Sequence, residues 1–196
     1  CVQVGQRLAA GIKILAKVAV NYHELYGFSL QITDIDPTYT LGDMERQRQI
    51  TIAQLQQEGV WDMNREAPMP VVVQRVAVVS SANAAGYQDF RKDVTLFDAF
   101  MQGAAAEESI VAALCAVAER MDEFDAVVLI RGGGSASDLN CFNAYRLCAH
   151  VAQFPLPILT GIGHDKDTSV ADMVAHTALK TPTAVAGWLV ERMTQA

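Results

Sequence analysis

The spacing of apolar residues changes along the chain, and each change marks a different kind of element. Over residues 1–36 the period is close to two: Ile12 and Ile14 flank Lys13, and Leu30 and Ile32 alternate with Gln31 and Thr33. The runs 11–20 and 28–35 therefore predict strands, turning at Tyr26-Gly27, and a small antiparallel barrel or its remnant fits them, closed by residues 36–40. From 43 to 58 the apolar positions Met44, Ile50, Ile52 and Leu55 take helical spacing, with Gly59 placed to cap the C-terminus; this predicts a linker helix. Two prolines within 64–70 mark the boundary to a second domain.

Beyond residue 70, short β-branched runs alternate with helix-spaced segments. Strands are predicted at 75–79, 94–97, 124–130 and 157–160. Helices are predicted from about 84 to 91, from about 107 to 121, through Leu139, Phe142 and Leu147, and through Val170, Met173 and Val174. In the second of these, Ile110, Leu114, Val117 and Met121 make one apolar face. Such alternation implies an α/β fold, a parallel Rossmann-like sheet flanked by helices. Only residues 90–93 are available to finish the first helix and cross to the next strand, whereas a crossover needs about 10 to 12 residues, so residues are expected to be missing between Asp89 and Val94.

Composition narrows the class. With 196 residues and 51% hydrophobic content, the chain can bury one sizeable core and a smaller appendage. It opens on Cys1, and its first residues read as the middle of a fold, so a piece of a larger protein is expected. The longest apolar stretches are broken well short of the roughly 18 residues of a membrane span. Cys1, Cys115, Cys141 and Cys148 form no C-x-x-C pair, and three of the four fall in apolar helical patterns, which predicts reduced thiols and a cytoplasmic protein. A net charge of −7 argues against a broad polyanion-binding surface; any nucleic-acid contact must rest on local basic positions.

The candidate chemistry collects at strand ends. The run 124–130 empties into Arg131-Gly132-Gly133-Gly134-Ser135, and the run 157–160 into Gly161-Ile162-Gly163-His164-Asp165-Lys166-Asp167. In an open parallel sheet, ligands bind at this carboxyl rim. A guanidinium beside a glycine nest matches phosphoryl oxygens and the charge that develops at phosphorus. His164 can move a proton, while Asp89 or Asp167 can orient the imidazole, activate water or share an Mg2+ ion. Plain alternatives stand beside each role. The glycines also let a helix pack closely on the sheet, a single histidine after a strand also serves as a surface or structural residue, and Asp165, Asp167 and Asp138 also suit helix caps. His23, His150 and His176 lack supporting partners and receive no role. There is no G-x-S-x-G elbow, no G-x-x-x-x-G-K-[ST] loop, no G-x-G-x-x-G after the first strand and no zinc-like ligand spacing.

Taken together these strings resemble the large-subunit family of exodeoxyribonuclease VII. The resemblance rests on residues 77–81 and 84–90, Met101-Gln102-Gly103, residues 131–135, Ser137-Asp138-Leu139, Phe142-Asn143, and the run 155–186 with Gly163-His164-Asp165-Lys166-Asp167 and Lys180-Thr181-Pro182-Thr183-Ala184. It implies three regions: 1–36 as the end of an N-terminal OB-fold that binds single strands, 37–70 as linker helix and boundary, and 71–196 as the α/β catalytic domain. It implies hydrolysis of single-stranded DNA from both ends to short oligonucleotides, used in DNA repair and degradation. Asp89, Arg131, His164 and Asp167 match the family's active-site set, with Gly132, Gly133, Gly134 and Ser135 gripping phosphate. Ser137 departs from the pattern, since many relatives carry Glu there, which puts a catalytic role for that position in doubt. The resemblance leaves Mg2+ optional and the metal ligands unknown. It also implies a small-subunit partner, bound through a C-terminal helical region that would follow residues 183–196. Two other classes stay open on the residues alone: a non-catalytic single-strand-binding module, and a Rossmann-like enzyme acting on nucleotides or sugar phosphates.

Overall fold

In the computed structural model, described over residues 13–84, 94–132, 136–163 and 168–195 (backbone only at 37–38, 40–41, 136–138 and 193–195), the chain forms two sheets. Strands β1 (Leu15–His23) and β2 (Gly27–Asp36) make an antiparallel hairpin, reversed at Gly27, whose φ of 73° suits only a residue without Cβ strain. Helix α1 (Pro37–Gln57) comes directly after it. It starts six residues before the predicted 43, because Pro37 fits the first helical position, where no N–H is needed. Its C-terminal end is where the sequence placed it, with Gly59 at φ 73°.

The second sheet is parallel and built from β3 (Val76–Ser80), β4 (Val94–Asp98), β5 (Ala126–Ile130), β6 (Ile158–Gly161) and the two-residue β7 (Thr177–Ala178). Their order is β4-β3-β5-β6-β7. The chain steps out from β3 to β4, returns past β3 to β5, and continues outward, so the direction of winding reverses between β3 and β5. That reversal is a topological switch point.

Alternate residues of the strands enter two cores. Ala77, Val79, Val127, Leu129 and Ile158 face α2 (Ala106–Ala118), α3 (Tyr145–Ala152) and α4 (Val170–Val174). Val76, Val78, Val128, Ile130 and Leu159 face α5 (Pro182–Gln195), through Val185 and Leu189. The α/β class expected from the alternation of elements is therefore the class the chain adopts. Continuous burial of β3, β5 and β6 explains why these runs are apolar at nearly every position rather than at every second one.

Two predicted elements end differently. Helix α2 stops at Ala118 and a 3-10 turn covers Met121–Glu123, held by the Arg120–Glu123 ion pair at 2.6 Å, so Met121 leaves the apolar face and is exposed. The helix expected through Leu139, Phe142 and Leu147 is two pieces: a 3-10 segment, Ala136–Asn143, and α3, separated by Ala144 in extended geometry. The predicted helix 84–91 and the residues thought missing before Val94 lie outside the described residues, apart from Ala84.

The segment read as a linker contributes to the α/β core. Thr51 and Leu55 of α1 are buried, Leu55 within the core cluster that α2 and α3 also enter. Asn64, fully buried, donates from Nδ2 to Phe154 O at 2.9 Å and Leu156 O at 2.8 Å, and accepts at Oδ1 from the N–H of Ile158 and of His176, both at 3.0 Å. No helix among the described residues is long and apolar enough to cross a membrane.

Candidate active site at the carboxyl rim of the sheet

The ends of β3, β5 and β6 lie side by side, and each is fixed by a contact beyond its last ladder pair. After β3, Ala99 N–H donates to Ser80 O at 3.0 Å, and Asp98 Oδ1 accepts the Ala82 N–H at 2.7 Å, so β4 secures the exit toward residue 84. After β5, Arg131 N–H donates to Gly161 O at 3.2 Å and carries the β5–β6 pairing one residue further. Arg131 is only 5% exposed, so its guanidinium is a buried cation next to the switch point, and Gly132 beside it is half-buried. A guanidinium presents a planar fork of N–H donors.

Gly161 closes the rim from the other face. A Cβ there would meet Val185 Cγ2 at 2.8 Å, Thr181 O at 3.0 Å and Ile130 Cγ2 at 3.1 Å, so only glycine lets the start of α5 press onto β6. Ser80 Oγ and Thr160 Oγ1, at the ends of their strands, are buried and have no hydrogen-bond partner among the described residues.

The entry to α4 is a capping box. Ser169 Oγ accepts the Asp172 N–H at 3.2 Å and donates to Asp172 Oδ2 at 2.7 Å, which also accepts the Ser169 N–H at 3.0 Å. Ser169, not Asp165 or Asp167, is thus the N-cap. The signal was in the sequence as Ser169-Val170-Ala171-Asp172, the S-x-x-D pattern of such boxes. Asp98 carried no comparable pattern, since its role depends on a loop brought back beside it by parallel pairing.

Of the predicted site residues, Arg131 and Gly132 are placed, both at the rim. Asp89, Gly133, Gly134, Ser135, His164, Asp165 and Asp167 lie outside the described residues, and of Ser137 and Asp138 only the backbone is described. The neighbours that flank them in sequence, Ala84, Gly132, Gly163 and Thr168, all belong to segments leaving or following the three rim strands. Among the described residues no group of three His, Cys, Asp or Glu side chains gathers to hold a metal ion. Cysteine chemistry is disfavoured at Cys148: burial, and then the charges of Glu107 and Asp172, push its thiol far up, and its Sγ donates to Phe142 O.

Comparison with known proteins gives this rim its context. The profile of the family described as exonuclease VII, large subunit, matches residues 60–196. An exodeoxyribonuclease 7 large subunit from Deinococcus radiodurans is 37% identical over 98% of this chain and 49% of its own length. Relatives with the same description from Shewanella loihica and a Cyanothece species are 34% and 39% identical, over 92% and 67% of this chain and 42% and 33% of their own lengths. The chain thus spans about half, or less, of the curated relatives it matches. The match runs through all five strands of the parallel sheet and the arginine at its switch point, and on that basis the chain belongs to the exonuclease VII large-subunit family.

Proposed function

We propose that the protein to which this chain belongs hydrolyses phosphodiester bonds of single-stranded DNA from both ends, releasing oligonucleotides, as part of DNA repair and degradation in the cytoplasm. The observation that carries the proposal is the position of Arg131: a buried guanidinium at the switch-point rim, entering a glycine run, in a chain of this family. In the proposed reaction Arg131 and the backbone of Gly132, Gly133 and Gly134, with Ser135, hold the scissile phosphate and offset the charge that builds on it. His164 acts as general acid or base, and Asp167 or Asp89 orients it or activates water. Mg2+ is an optional addition to the two carboxylates, and no step is routed through it.

The hairpin supports a strand-binding role for the N-terminal region. Register places Val18 opposite Ile32, Val20 opposite Leu30 and Tyr22 opposite Phe28, so six apolar side chains share one exposed face, with the last pair's rings 5.0 Å apart. A two-stranded sheet with such a face is marginal alone, which agrees with residues 1–36 being the end of an OB-fold, 37–70 the connection, and 71–196 the catalytic domain. A small subunit, held by helical sequence that would follow α5, completes the proposed assembly.

The test is cleavage of end-labelled single-stranded DNA by the full-length protein co-expressed with its small partner, in Mg2+ and in EDTA. Oligonucleotide products from substrates labelled at either end are expected. His164→Ala should lower turnover at least ~10²-fold while strand binding holds. Salt-sensitive binding without products would leave a binding module, and a larger thermal shift with mononucleotides than with oligonucleotides would point to a nucleotide enzyme.

A further inference from the structure

Two hydrogen bonds join the segments that carry the predicted phosphate-gripping and proton-transferring residues. Their entrances are joined by backbone, Arg131 N–H to Gly161 O, where β5 and β6 end. Their exits are joined by a side chain. Asn143, the last residue of the 3-10 segment after the glycine run, accepts at Oδ1 the N–H of Val170 at 2.9 Å, and Val170 is the first residue of α4 after the histidine run. The two residues are 27 apart in sequence.

The N–H of Val170 is one of those that any helix start leaves without an intrahelical acceptor. The capping box serves Asp172 and Ser169 instead, and the Val170 donor is met from the far end of another segment. Arg48 of α1 adds a third restraint, with Nη2 donating to Thr168 O at 3.4 Å. Phe142, beside Asn143, is fully buried, so the acceptor is mounted on an anchored stretch rather than a loose loop.

We propose that Asn143 is a positioning residue: its side-chain carbonyl ties the end of the 3-10 segment, which follows the glycine run in sequence, to the start of α4, which follows the histidine run. The proposal rests on the nuclease function above. Asn143 acts through the segments and touches no reacting atom. Misplacement by about 1 Å costs on the order of 10²-fold in rate when groups from two segments must meet one phosphate, whereas strand affinity is spread over many contacts. Loss of this bond therefore lowers kcat and leaves KM.

The test compares wild type, Asn143→Ala, Val170→Pro and the double variant in the full-length protein with its small partner. Val170→Pro removes the donor at a position where proline is at home, and Ser169, at ψ 163°, already has the extended geometry that a residue before proline needs. Single-strand cleavage is measured at a temperature below every variant's melting point. Each single change is expected to lower kcat about 10- to 100-fold with KM within about threefold, and the double variant should be no slower than the worse single, because both cut one bond. An unchanged kcat, a KM that rises in step, or losses that multiply in the double variant would overturn the proposal. Should Asn143→Ala not fold, Val170→Pro decides by the same criteria. A wild type that does not cleave overturns the nuclease function and this proposal together; a cleaving wild type with indifferent variants overturns the proposal alone.

Discussion

Gly161 shows how much can depend on a missing side chain. Its neighbours leave no room for Cβ, and the nearest obstacles are a β-branched side chain and a backbone carbonyl, neither of which can swing away. Gly161→Ala is expected to destabilise the domain by about 1–3 kcal/mol, read as a lower urea midpoint at unchanged slope. Its effect on the rim should be direct, since Gly161 O also accepts the Arg131 N–H. In the sequence Gly161 was one of several glycines after a strand, and nothing local distinguished its packing role from a ligand role. The position of Arg131 at the end of a strand was legible from the apolar run before it; Ser169 carried a cap signal in its spacing to Asp172, but the sequence reading placed the cap at Asp165 or Asp167.

Among elements, the connection from α1 to β3 is the least like its sequence. Its polar, proline-rich character suggested a boundary, yet Asn64 uses both ends of its amide to satisfy four backbone groups from the α3–β6 loop and the approach to β7. Asn64→Ala leaves those groups buried and unpartnered, at about 1–3 kcal/mol for each that finds no water. A loss of about 3 kcal/mol or more in unfolding free energy is expected on that basis, measured by denaturant titration. An asparagine in a polar stretch gives no sequence signal for this, because its four partners come from residues about 90 to 112 positions away. The predicted helix is split at Ala144, and Asn143 just before it accepts the Val170 N–H, a contact that helical periodicity cannot register.

Across the protein as a whole, the underside of the sheet is held by a charged contact. Burial alone would raise the Asp125 carboxyl, but hydrogen bonds from the Arg75 guanidinium at 2.7 Å and from the N–H groups of Arg75 and Gln74 outweigh it and hold the group below the usual carboxylate range. A carboxylate lowered in the folded state adds stability above its unfolded value, near 3.9, and loses it as pH falls through the folded value. Asp125→Asn should therefore be less stable than wild type at pH 7, with the gap closing as pH falls from about 4 downward, as measured by thermal unfolding across that range. This contact sits where β3 and β5 begin, at the opposite end of the strands from the proposed chemistry, so stability there can be altered without touching Arg131.

Local sequence was enough to establish the α/β class, the hairpin and four of the five strands of the parallel sheet, because each is written in short-range periodicity; the two-residue β7 is too short to carry such a pattern. Strand order came from tertiary packing, and with it the switch point that brings the ends of β3, β5 and β6 together. The same packing selected Asp98, Asn143 and Gly161 as the residues joining those ends. Their partners are far away along the chain, and a hydrogen bond or a steric limit between distant segments leaves no periodic trace in either one.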